Sequence, residues 1–167
     1  MDKLRILLAD DHAVLRESLS QYLATQPDLT VVGEAADGHA AVAQAKSTQP
    51  DLVVMDISMP KLDGVEATRA IRQACPKTRV MALTAHVCPL MLLHMGKAGA
   101  SGYVLKASPL SELLTALRTV GRGEVYIDAL LRLQAAGILA EEKHAKPRPV
   151  PDLSHREVQV LRYLALG

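Results

Sequence analysis

The sequence predicts an α/β fold, a five-stranded parallel sheet with helices on both faces. Two observations carry this. Short apolar runs alternate with amphipathic stretches five times within the first ~120 residues. The runs are almost wholly apolar and do not alternate inward and outward, so both faces of each strand must be covered.

The elements follow in order. Ile6-Leu7-Leu8-Ala9 is the first strand, and Leu15, Leu19, Tyr22 and Leu23 then recur at helical spacing. Val31-Val32 is the second strand. Gly38 opens an Ala-rich helix that ends before Pro50. Leu52-Val53-Val54-Met55 is the third strand, followed by a helix from Gly64 to Ala74 that ends before Pro76. Val80-Met81-Ala82-Leu83 is the fourth strand and Pro89 to Lys97 its helix. Tyr103-Val104-Leu105 is the fifth strand. Leu110, Leu113, Leu114 and Leu117 mark one face of the fifth helix. Beyond it, Ile127 to Glu142 reads as a linker helix. Lys146-Pro147-Arg148-Pro149-Val150-Pro151 reads as a stiff, extended boundary. Ser154 and Glu157 then form a capping box before Val158, Leu161 and Leu164.

Composition narrows the function classes. Of 167 residues, 49% are apolar and 22% charged, which suits a packed globular core. With no Phe and no Trp, that core must be built from Leu, Val, Ile, Ala and Met, and the composition argues against base stacking on aromatic platforms. Lys plus Arg is 19 against 18 Asp plus Glu, without the basic excess of a nucleic-acid binder. No apolar run approaches the ~18 residues of a membrane span. The first residues show no secretory signal, which points to the cytoplasm. Cys75 and Cys88 do not form a C-x-x-C and read as two reduced thiols.

Parallel sheets place ligands beyond the carboxyl ends of their strands. Asp10 and Asp11 follow the first strand there, Asp56 the third, Thr84 the fourth and Lys106 the fifth. Three carboxylates in one pocket repel each other unless a cation balances them. Oxygen donors of this kind suit a hard divalent ion such as Mg²⁺, held by Asp10, Asp11 and Asp56. A carboxylate can attack phosphorus to form an aspartyl phosphate, and Asp56, central in the pocket, is the expected acceptor. Thr84 offers a hydroxyl to a phosphoryl oxygen, and Lys106 a compact positive charge.

These residues resemble those of bacterial two-component response regulators over residues 1–122. The matching segments are Leu8-Ala9-Asp10-Asp11-His12, Asp51 through Pro60, Asp63-Gly64, Leu83-Thr84-Ala85 and Gly99 through Lys106. The resemblance implies a flavodoxin-like receiver domain over 1–122, phosphorylated on Asp56 by a sensor histidine kinase with Mg²⁺. Asp10, Asp11, Asp56 and the Ser58 backbone carbonyl would hold the metal. Thr84 and Tyr103 would form the switch pair, with Tyr103 rotating inward, and Lys106 would contact the phosphoryl group. Ser58 and His86, each two residues beyond a pocket residue, would tune how fast water removes it. The protein would thus be no enzyme beyond accepting and losing a phosphoryl group.

Leu153 through Gly167 is similar to the first helix of a LuxR-type helix-turn-helix domain, which points to the NarL/FixJ subfamily. On that resemblance, residues 123–151 are a linker and 152–167 the start of a DNA-binding domain. The recognition helix is missing from this sequence, which reads as a truncated form of a regulator whose intact form would bind promoter DNA. Pro89 to Met95 is apolar on nearly every side, so Leu92 and Met95 are expected at a homodimer interface or against the linker. The alternative function is a stand-alone receiver working through protein contacts or as a phosphate sink. A phosphatase lacks its general acid here, because no carboxylate lies two residues after Asp56. An acidic pocket also opposes a flavin phosphate.

Overall fold

The structure is a computed structural model that describes residues 2–134. Six parallel strands form one sheet in the order β2-β1-β3-β4-β5-β6. The strands are β1 (Leu4–Ala9), β2 (Leu29–Ala35), β3 (Leu52–Asp56), β4 (Arg79–Thr84), β5 (Gly102–Leu105) and β6 (Tyr126–Ile127). The helices between them are α1 (Ala13–Ala24), α2 (Gly38–Thr48), α3 (Gly64–Ala74), α4 (Pro89–Ala98) and α5 (Leu110–Gly121).

Successive strand residues point to opposite faces, and the core divides accordingly. Leu7, Ala9, Val53, Met55, Val80 and Ala82 pack with α2, α3 and α4. Ile6, Leu8, Leu52, Val54, Met81 and Leu83 pack with α1 and α5. Every residue of β3 is buried. At ~1.5–3 kcal/mol per fully buried aliphatic side chain, this central strand anchors the sheet. Its last residue is Asp56, so the energy of the core holds an acidic group at the strand's end.

Local chemistry sets the helix ends. The Asp37 side chain accepts the Ala40 N–H at the start of α2, and Asp63 accepts that of Glu66 at the start of α3. Pro89 opens α4, where a missing N–H costs nothing. Gly99 closes α4 at φ +107°, a conformation that favours glycine.

Three expectations change. The sheet has six strands, because Tyr126 and Ile127 extend β5's edge beyond residue 122. Ile127 therefore belongs to a strand, and the linker helix begins at residue 129 and is described through 134. Leu92 and Met95 are not surface residues: they are 1% and 0% exposed, in one core with Ile127 and Leu131, which opposes the dimer reading but agrees with packing against the segment that leads into the linker. The outward residues of α4 are Leu90, His94 and Lys97. An all-apolar helix hides which stripe faces the sheet; packing against α3 selects Leu92, Met95 and Ala98. The proline-rich boundary, the capping box and the helix-turn-helix resemblance lie outside the described residues.

Candidate functional site

The chain reverses direction across the sheet between β1 and β3, and a crevice opens beyond their carboxyl ends. Asp10 follows β1 there and Asp56 ends β3, 3% and 2% exposed. Asp11 is more open. Ligand atoms of Asp10, Asp11, His12 and Asp56 all lie within 4.8 Å of one another. Lys106, just past β5, places Nζ 2.8 Å from Asp10 Oδ2 and 3.1 Å from Asp56 Oδ2.

The surrounding backbone fixes these groups. Arg16 of α1 donates to the Asp10 carbonyl at 2.7 Å while its Nε meets Glu34 at 3.2 Å. The Ser58 N–H donates to Asp56 Oδ1 at 3.2 Å. The Lys106 N–H donates to the Thr84 carbonyl at 2.7 Å, tying β5's end to β4. Gly64 must lack a side chain: a Cβ there would lie 2.2 Å from the Asp56 carbonyl oxygen. Lys61 reaches Asp37 at 2.7 Å, closing the loop after β3 onto α2.

Electrostatics follow from burial and like charge. Burial first, and then the neighbouring Asp10 charge, push the Asp56 carboxyl above the usual carboxylate range, against the pull of Lys106 and the Ser58 amide. For Lys106, burial works against the ammonium, but hydrogen bonds to Asp10 and Asp56 outweigh it and hold its pKa above the ordinary value. One ammonium faces three carboxylates. The excess of clustered oxygen donors fits a hard divalent cation such as Mg²⁺.

The expected residues converge unequally. Asp10, Asp11, Asp56 and Lys106 meet in one pocket. Thr84 ends β4 nearby, but its hydroxyl donates to the His86 carbonyl at 2.8 Å rather than into the pocket. The His86 and Ser58 side chains are exposed. Tyr103 is already packed inward, 1% exposed, in one core with Leu92, Met95, Ile127 and Leu131. The sequence reading assigned no role to His12. Its Nδ1 stands 3.1 Å from both Asp10 Oδ1 and Asp11 Oδ1, and 3.4 Å from Lys106 Nζ. Its place directly after the Asp pair was the available signal.

Comparison with known proteins agrees with this geometry. The sequence model of the family described as response regulator receiver domain matches residues 6–118. The Bacillus subtilis transcriptional regulatory protein YxjL is 39% identical over 172 residues, covering 99% of this chain and 77% of that protein. The oxygen regulatory protein NreC of Staphylococcus haemolyticus is 38% identical, covering 98% and 78%. A LuxR-family two-component response regulator from Aurantimonas superposes with a TM-score of 0.76 at 37% identity, over 86% of this chain and 99% of its own. The receiver domain of a NarL response regulator from Mycobacterium tuberculosis gives 0.71 at 34% identity, over 74% and 100%. Among the described residues no helix is long and apolar enough to cross a membrane. A buried acidic crevice, a lysine closing it and relatives of this similarity lead to one conclusion: the chain belongs to the two-component response regulators, in the NarL/FixJ subfamily with its transcription-regulating output.

Proposed function

We propose that Asp56 is the phosphoacceptor of this regulator and that Lys106, Asp10 and Asp11 serve its reaction. The carrying observation is that one lysine ammonium bridges Asp10 and Asp56 at 2.8 and 3.1 Å, in a crevice that also gathers Asp11 and His12. An Asp56 oxygen attacks the phosphorus of a phosphohistidine on a sensor kinase. A P–O bond forms, the P–N bond breaks, and the departing imidazole nitrogen takes up a proton. A Mg²⁺ held by Asp10, Asp11, Asp56 and the Ser58 carbonyl would supply charge to offset the incoming phosphoryl oxygens. Lys106 balances the same charge from the other side; its backbone N–H is tied to the Thr84 carbonyl, and its ammonium already stands on Asp10 and Asp56.

Thr84 and Tyr103 form the switch. Swinging the Thr84 hydroxyl from the His86 carbonyl to a phosphoryl oxygen exchanges a neutral hydrogen bond for a charge-assisted one. Since Tyr103 is already inward, the step left is the reorganisation of the loop after β4. A few charge-assisted bonds at ~1.5–3 kcal/mol each reach the ~5.5 kcal/mol that turns a 1:99 equilibrium into 99:1. Ser58 and His86, exposed at the pocket rim, tune the access of hydrolytic water. The regulator's partners are then a sensor histidine kinase and promoter DNA, and it works in the cytoplasm.

Incubation with acetyl phosphate and Mg²⁺, followed by intact mass, tests the reading. Wild type should gain one phosphoryl group and Asp56→Asn none. An adduct of equal yield on Asp56→Asn would place the acceptor elsewhere.

A further inference from the structure

Asp128 is a buried charged residue outside the pocket, 1% exposed. Its carboxylate collects three donors from two parts of the chain. Oδ2 accepts the Leu105 N–H at 3.2 Å and the Ser108 hydroxyl. Oδ1 accepts the Leu130 N–H at 2.8 Å, capping the helix that begins at residue 129. Leu105 and Ser108 bracket Lys106, whose ammonium stands on Asp56. The Asp128 N–H also donates to the Tyr103 carbonyl at 2.9 Å, continuing the β5–β6 ladder. Ile127 and Leu131, on either side of Asp128, are buried in one core with Tyr103 and Leu105.

We propose that Asp128 is a positioning residue that locks the Lys106 segment to the first turn of the helix leading out of the receiver, so that occupancy of Asp56 is read by residues 126–134. This rests on the assignment of Asp56 as acceptor. A helix cap alone needs one acceptor oxygen near the helix amides. Asp128 meets that need with Oδ1 and spends Oδ2 on Leu105 and Ser108, one residue before Lys106 and two after it. Burial makes the arrangement demanding, since a buried carboxylate that loses donors is left unsatisfied. A shift of the Lys106 backbone toward a phosphoryl group must therefore move Asp128 or break its bonds. Either event reaches the Leu130 amide through the same carboxylate. Coupling of this kind is reciprocal, so the helix also biases the pocket.

Hydrogen exchange on the full chain tests this, with and without acetyl phosphate and Mg²⁺. Intact mass on the same samples gives the occupancy of Asp56. In wild type, exchange across 126–134 should change at least about fivefold on phosphorylation, the low end of ordinary coupling between sites. Ser108→Ala keeps the Leu130 cap and severs one link to the Lys106 segment; it should gain the adduct but lose most of that response. Asp128→Ala should lose the response and also exchange faster across 126–134 before phosphorylation. If Asp128→Ala does not fold, Ser108→Ala decides alone. A response of wild-type size in Ser108→Ala, or a phosphorylated wild type unchanged at 126–134, would overturn the coupling and leave the acceptor assignment standing. No adduct on wild type would overturn both.

Discussion

Lys106 reaches across the strand ends to place its ammonium 3.1 Å from the Asp56 carboxylate. The pair is mostly buried, and Asp10 shares the same ammonium at 2.8 Å. Removing the lysine leaves two buried carboxylates facing each other. Lys106→Ala should therefore destabilise the metal-free protein by about 3 kcal/mol. Added Mg²⁺ should recover much of the loss by balancing the same charge. Urea unfolding in chelator and in Mg²⁺ measures both, and an unchanged midpoint in chelator would show that the ammonium balances nothing.

Asp56 carries the opposite sign of effect. Burial and Asp10 both disfavour its ionised form, so replacing it with a neutral isostere relieves the folded state. Lys106 keeps Asp10 as a partner, so Asp56→Asn removes a surplus buried charge and should stabilise the metal-free protein by about 1 kcal/mol, on the order of one pKa unit of relieved repulsion. Thermal unfolding in chelator should show a higher midpoint than wild type; a lower one contradicts the charge argument.

Gly64 sits where a methyl group would meet rigid backbone, 2.2 Å from the Asp56 carbonyl oxygen and 2.8 Å from Ile57 Cα. Neither atom belongs to a flexible side chain. Gly64→Ala should cost about 2 kcal/mol through overpacking and displace the end of β3. Its phosphorylation rate should fall with its stability. Wild-type values for both would mean the loop relaxes freely.

On α4, neighbouring leucines should behave in opposite ways. Leu92 is 1% exposed and Leu90 59% exposed. Leu92→Glu buries an unpaired charge and should cost more than about 4 kcal/mol, whereas Leu90→Glu should stay within about 0.5 kcal/mol. Circular dichroism melts separate them. A folded Leu92→Glu protein of altered oligomeric state would restore the interface role that the packing removes.

Tyr126 donates its hydroxyl to Glu112, joining β6 to α5. Burial first, and then the Glu112 carboxylate, push its phenol well above the ordinary value. The folded state holds this proton more tightly than the unfolded chain, whose tyrosines titrate near pH ~10. The contribution is complete below that pH and lost as pH rises toward the folded-state value. Wild-type stability should thus fall above about pH 10 more steeply than that of Tyr126→Phe. Denaturant midpoints across that range test the difference; parallel curves would remove it.

The strand runs, the helix breaks at Pro50 and Pro76, and the acidic residues after β1 and β3 were all legible in the sequence. Each depends on local chemistry: apolar runs demand burial on both faces, proline ends a helix, and a charge at the end of a buried strand must sit at its mouth. Chain order alone thus placed Asp10, Asp11, Asp56 and Lys106 at one edge. Tertiary packing decided the rest. Nothing local told Leu92 from Leu90 on a helix apolar all round, because only contact with α3 and the sheet selects the buried stripe. Tyr126-Ile127 is too short to announce a strand and exists because β5 offers an open edge. In the sequence Asp128 falls inside a helix expected to begin at Ile127, with nothing to mark it. It joins the Lys106 segment only because β6 lies beside β5, which brings its carboxylate to Leu105 and Ser108, 23 and 20 residues earlier in the chain.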